Sequence, residues 1–167
     1  ARVEPLVRRI RNEMAAAGLT HGGFYGHFQS KEALAREASE RAFKEVGTRW
    51  RERITQGDDK AAARQALIKP YLSVYSRDNP GESCPVVAFA GDMCHEHADS
   101  SLREPFMAGL NRLLDALAEL MDSDDAAENR QQALVQYSLM VGALTLARAT
   151  RGDALSEEIL EAAQSFL

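Results

Sequence analysis

Three glycines, Gly22, Gly23 and Gly26, fall inside what otherwise reads as a short capped helix, and this conflict constrains the chain more than any other feature. Each glycine costs about 1 kcal/mol relative to alanine in a helix interior, so three in one helix need a reason beyond stability. The flanks supply it. Met14 to Ala17 end one helix, Gly18 gives the backbone freedom of a tight corner, Leu19 plugs that corner, and Thr20 caps the next helix. A helix bare on one face fits deep in a DNA major groove, while Phe24 and Phe28, four apart, anchor its other face in a core. Tyr25 and His27 flank the bare face as groups suited to phosphate oxygens. Ser30 caps a further helix whose first turn carries Lys31, a cation placed against the helix dipole unless an anion lies nearby.

The run Gly18-Leu-Thr-His-Gly-Gly-Phe-Tyr-Gly-His-Phe-Gln-Ser-Lys-Glu-Ala-Leu34 resembles the end of the helix-turn-helix of the TetR family of bacterial transcriptional repressors. The capping Thr, the aromatic pair with Tyr, the His-Phe step and the Ser-Lys-Glu-x-Leu helix start recur at the family's spacings. The resemblance implies a DNA-binding repressor that is a homodimer on a palindromic operator in double-stranded DNA. It places Thr20, His21 and Gly22 nearest the bases, and Tyr25, His27 and Lys31 on phosphates. Only fourteen residues precede Ala15, too few for the family's first two helices, so the first part of this domain is expected to be incomplete.

Charge divides along the chain. Residues 1–51 hold ten Lys/Arg against six Asp/Glu, a net of +4, leaving ten against nineteen, a net of −9, for residues 52–167. A basic end is steered to DNA while an acidic remainder stays off it. With 167 residues and 45% hydrophobic content the chain has enough for a substantial core. No apolar run is long enough for a membrane span and no apolar leader opens the sequence, so a cytoplasmic protein without membrane contact is expected. Cys84 and Cys94 are too few for a disulfide scaffold and are expected to be free thiols.

Helical periodicity runs through the rest, and no strand pattern competes, which makes the fold all-α. Leu34, Ala38, Ala42, Val46, Trp50 and Ile54 recur every four residues and predict one helix from Lys31 to about Ile54. It would join a helix-turn-helix domain over 1–46 to a helical effector-binding and dimerisation domain over 47–167. Asp58 or Asp59 is expected to cap the next helix and Pro70 to interrupt it, with Ser76 to Ser83 as the clearest loop. Pro85 suits the first turn of an apolar helix from Val86 to about His97, expected to be buried. Ser101-Leu-Arg-Glu104 reads as a capping box for a helix ending at Asp122 to Asp125, and two more helices follow around Gly152-Asp153. Their apolar surface exceeds what one chain buries, so Leu134, Val141, Leu144, Ile159, Ala163 and Phe166 are expected in a two-fold dimer interface made of four helices.

A small, largely hydrophobic effector is the expected ligand of the second domain, lined by Trp50, Phe89, Met93, Phe106, Tyr137 and Met140. For Trp50, core packing competes with cavity lining. The alternative is a thiol- or electrophile-sensing regulator of the same fold. Cys84, at an expected helix N-terminus, or Cys94 would be the sensor. Asp92-Met-Cys-His-Glu-His97 puts Cys94 and His97 on one face of an expected helix, yet without a CxxC or HExxH partner no metal is assigned. A helical enzyme or adaptor is the remaining class. No nucleophile elbow or phosphate loop is present, and the glycines at 22, 23 and 26 follow no strand, so neither catalytic residues nor a cofactor are assigned.

Overall fold

The computed structural model describes residues 30–97 and 99–167, with only the backbone of Lys31. Seven α-helices and one 3-10 turn make up the described residues, with no strand among them. The helices are α1 (Lys31–Ile54), α2 (Lys60–Tyr71), α3 (Val74–Asp78), α4 (Pro85–Met93), α5 (Arg103–Ala118), α6 (Ala126–Ala149) and α7 (Leu155–Phe166); the 3-10 turn is Pro80–Glu82. α1 packs on α5, α5 on α6 and α6 on α7, while α2 and α4 close over α1.

α1 begins where its cap dictates: Ser30 is extended, and its Oγ accepts from the Ala33 N–H at 3.0 Å. Its 24 residues run unbroken through Gly47, about 36 Å at the α-helical rise. Of the four-residue ladder Leu34, Ala38, Ala42, Val46, Trp50 and Ile54, Val46 and Trp50 are buried and Ile54 packs against the core, whereas Leu34, Ala38 and Ala42 lie off the buried face. A strict step of four drifts by about 40° per step on a helix of 3.6 residues per turn, and the residues that face the core are Ser39, Phe43, Val46 and Trp50. Phe43 sets its ring edge against Phe106 at 5.7 Å and lies over Gly109, where an added Cβ would run into the ring.

Asp59 caps α2, accepting from the Ala62 N–H at 2.7 Å. Pro70 does not stop this helix: it sits in the last turn, costs one hydrogen bond, and the Leu72 N–H still reaches the Ile68 carbonyl at 2.9 Å. The break comes at Leu72–Ser73. Ser73 donates its hydroxyl to the Pro70 carbonyl at 2.8 Å and accepts from the Ser76 N–H, so it starts α3, which runs through Asp78 into the stretch expected to be loop. The core is enclosed by Leu67, Ile68, Leu72, Leu113, Leu117, Met140 and Leu144.

Two further expectations fail. α4 ends at Met93 rather than His97, and only Pro85 and Val86 are buried, with Val87, Phe89 and Met93 half-covered. The helix stops where the apolar run gives way to Cys94-His-Glu-His97, which the structure places outside the helix. The capping box does not form: Leu102 stands at the α5 N-cap with no side-chain bond, and Ser100, not Ser101, accepts from the Leu102 N–H at 3.3 Å. Asp125 caps α6, accepting from the Ala127 N–H at 2.8 Å, and Gly152, at φ +97°, makes the left-handed turn into α7. Ser156 ties that corner down. Its hydroxyl donates to the Ala147 carbonyl at 2.7 Å and accepts from Arg77 at 3.0 Å.

Candidate effector pocket

The helical domain contains a cavity of about 470 Å³ against the second half of α1. Val46, Arg49, Trp50 and Arg53 face it because steps of three and four keep residues on one side of a helix. Pro70 and Tyr71 enter from the end of α2, and the break after Tyr71 turns Ser73, Tyr75 and Ser76 onto the same space. The 3-10 turn and the start of α4 close it with Glu82, Ser83 and Cys84.

One wall is aromatic. Trp50, 2% exposed, stands edge-on to Tyr137 at 5.8 Å, and Tyr71 meets the same ring at 6.3 Å. Trp50 therefore both packs in the core and lines the cavity. Tyr137 lies behind that wall and shares a 3.2 Å hydrogen bond with the Cys84 thiol. The Tyr71 hydroxyl, on a residue only 5% exposed, has no hydrogen-bond partner among the described residues, nor has Arg148 Nε. Burial holds both tyrosine hydroxyls well above their ordinary pKa, with the Cys84 side chain pushing the same way. Burial also lowers the pKa of Arg148, whose Nη2 donates to the Ser76 carbonyl at 2.8 Å.

The opposite side is cationic. Arg49 donates to the Glu82 main-chain carbonyl at 3.1 Å, while the Glu82 carboxylate accepts from the Tyr75 hydroxyl at 2.6 Å and raises the pKa of that hydroxyl. Glu45, one turn before Arg49, is committed to Arg41 at 2.9 Å. Arg53 is half-buried, and its pKa is lowered first by burial and then by the charge of Arg49.

Of the six residues expected around an effector, Trp50 lines this cavity and Tyr137 supports its wall. Phe89 and Met93 are half-buried on α4, Phe106 packs on Phe43, and Met140 is fully enclosed. The polar lining, Arg49, Arg53, Tyr71, Ser73 and Ser76, was not anticipated. Its readable signal was the pair of arginines four apart that flank Trp50. Of the residues expected to contact DNA, Thr20, His21, Gly22, Tyr25 and His27 lie outside the described residues, and Lys31 opens α1. On the expected dimer face, Phe166 is 79% exposed and Leu134 44%, Val141 and Ile159 are half-buried, and Leu144 and Ala163 are buried within the chain. Val135, Leu146 and Leu155 add exposed apolar surface to α6 and α7.

Cys84 is buried at the N-cap of α4, and Cys94 is exposed at its C-cap. Because α4 ends at Met93, Cys94 and His97 do not share a helical face, and no group of three His, Cys, Asp or Glu among the described residues is placed to hold a metal. No helix among them is long and apolar enough to cross a membrane.

The architecture defined by these elements is an all-helical one with a long first described helix walled into a ligand-sized cavity. No protein-family model matches the chain, and no curated protein sequence matches it significantly. Among solved structures, the crystal structure of E. coli NemR in its reduced form is similar, with a TM-score of 0.74 at 23% sequence identity over 92% of this chain and 80% of that one. The likeness shows that the two chains share a fold.

Proposed function

We propose that the chain is a ligand-responsive transcriptional regulator of the TetR type, a repressor that binds a palindromic operator as a homodimer and releases it when a small molecule enters the cavity beside Trp50. One observation carries this reading: the helix that follows the Thr20 to Phe28 motif directly, starting at Lys31, is the same helix whose residues Val46 to Arg53 wall the cavity. A ligand against Trp50 thus presses on the far end of a rod about 36 Å long whose near end follows the reading motif in sequence. Tilting the rod changes the separation of two reading helices across a two-fold, and half-sites on B-DNA tolerate little change from one helical turn. The fold shared with NemR supports the same reading. So does the apolar surface of α6 and α7, which suits burial against a second copy of the chain.

The test is selection of duplex DNA by the purified protein from a random pool, followed by salt titration. Lys31→Ala should weaken all selected sequences alike and lower the salt slope by about one, whereas substitution of His21 should change sequence preference. No enrichment of any palindrome would remove the proposal.

A second reading has one observation in its favour: Cys84 lines the same cavity, within hydrogen-bond distance of Tyr137. A thiol there would register an electrophile that the cavity admits, and the similar NemR structure is of a reduced form. Cys84→Ser in a Cys94→Ser background separates the readings. Loss of the response to electrophiles with the response to unreactive ligands intact would assign the thiol a sensing role.

A further inference from the structure

The charge of the cavity narrows its ligand. Four properties converge on the α1 side. Arg49 and Arg53 are like charges one helical turn apart, and such a pair is destabilising in the absence of an anion. Neither forms an ion pair among the described residues: Glu45 is held by Arg41, the Glu82 carboxylate by Tyr75, and Arg49 reaches only a main-chain carbonyl of Glu82. Burial and the charge of Arg49 both oppose the charge of Arg53 and lower its pKa, a cost that a bound anion would reverse. The cavity wall also holds a buried hydroxyl without a partner among the described residues, that of Tyr71, set beside the apolar faces of Trp50, Val46 and Pro70.

We infer that the cavity binds an amphiphilic organic anion, an apolar ring or chain laid against Trp50 and Pro70 with its acidic group between Arg49 and Arg53. The inference rests on the regulatory reading above for its biological sense, but not for its chemistry. Each guanidinium keeps free N–H donors in a planar fork suited to two acceptor oxygens, which a carboxylate or sulfonate supplies and a neutral hydrocarbon does not. Glu82 at the rim does not cancel the pair, since two cations face one carboxylate already engaged by Tyr75. A volume of about 470 Å³ lies within the range of small-molecule sites.

The experiment compares anilinonaphthalene sulfonate with its uncharged analogue N-phenylnaphthylamine on the full chain, following the quenching of Trp50, the only tryptophan. The sulfonate is expected to bind at least tenfold more tightly, and Arg53→Gln and Arg49→Gln each to lose about tenfold for the sulfonate with no change for the neutral amine. Arg53→Lys should restore most of the affinity, and far-ultraviolet circular dichroism should report an unchanged helix content for all three variants. Equal affinity for the two probes, or equal losses for both in the arginine variants, would overturn the inference. Failure here is separable from failure of the regulatory reading. A neutral compound that releases DNA through the cavity leaves the regulator standing and removes the anion. Arginine-dependent sulfonate binding by a protein that selects no DNA does the reverse.

Discussion

The two sides of the helical domain ask for different partners. The α1 side is concave and carries two like charges, an unpartnered tyrosine hydroxyl and a thiol around a cavity. The outer side of α6 and α7 presents Val135, Leu146, Leu155 and Phe166, all exposed among the described residues. Concavity with unmet polar groups suits a small ligand, because a few placed contacts can be satisfied at once; an exposed apolar stripe suits a second helical surface that removes it from water. Tyr137 and Leu144 on α6 belong to the core between them, so the same helix backs the cavity with one face and presents the stripe with another.

That division breaks first, and most expensively, in the shared core. Leu117→Ala, at a site with no solvent exposure, should cost about 2–5 kcal/mol and weaken ligand binding and dimerisation together, as thermal denaturation and ligand titration would report. The pairing of copies comes next. Leu146→Asp with Phe166→Asp places two charges per chain in the stripe, and a dimer interface there should weaken by several kcal/mol while the cavity keeps its affinity, read by analytical ultracentrifugation. An undiminished dimer would move the interface elsewhere.

The tyrosines sharpen the comparison at high pH. Tyr71 and Tyr137 titrate well above their ordinary value of 10.0 because burial opposes the phenolate. Their stabilising effect is complete below that ordinary value and is lost as pH rises from it through the higher folded values. The loss is about 1.4 kcal/mol per pH unit for each tyrosine. Tyr71→Phe should therefore flatten the alkaline decline in stability. At neutral pH the effects are smallest and opposite in sign. Tyr71→Phe removes an unpartnered hydroxyl and should be neutral or stabilising by up to about 1 kcal/mol, whereas Tyr137→Phe breaks a bond to Cys84 and should cost about 1 kcal/mol.

Much of the helical plan was legible in the residues. The limits of α1 followed from Ser30 and the apolar period, Asp59 and Asp125 were readable as breaks and caps, and the last two helices lie where their stripes put them. What escaped were features set by neighbours. Burial of α4 depends on whether another element covers it, and Ser101 and Glu104 match a capping pattern that Ser100 takes over. Within the pocket, Trp50 stood out as the sole tryptophan, but Arg49 and Arg53 on a charge-rich helix read as a solvated face. Only the turn at Leu72–Ser73, which folds Tyr71, Ser76 and Cys84 back onto α1, makes them walls of a cavity.

The account stands or falls on α1 as the connection between cavity and DNA. Gly47 lies about two-thirds of the way along it, and nothing among the described residues comes within 4 Å of an added Cβ there, so Gly47→Pro breaks the rod by removing one backbone bond and crowding the carbonyl four residues earlier. The decisive measurement is the affinity of this variant for a selected operator, with and without a compound that releases the parent protein. The expected result is ligand affinity within about threefold of the parent and a coupling reduced from the usual ~1–3 kcal/mol to nearly zero. A folded Gly47→Pro protein that still gives up its operator in full when the ligand binds would contradict transmission through this helix.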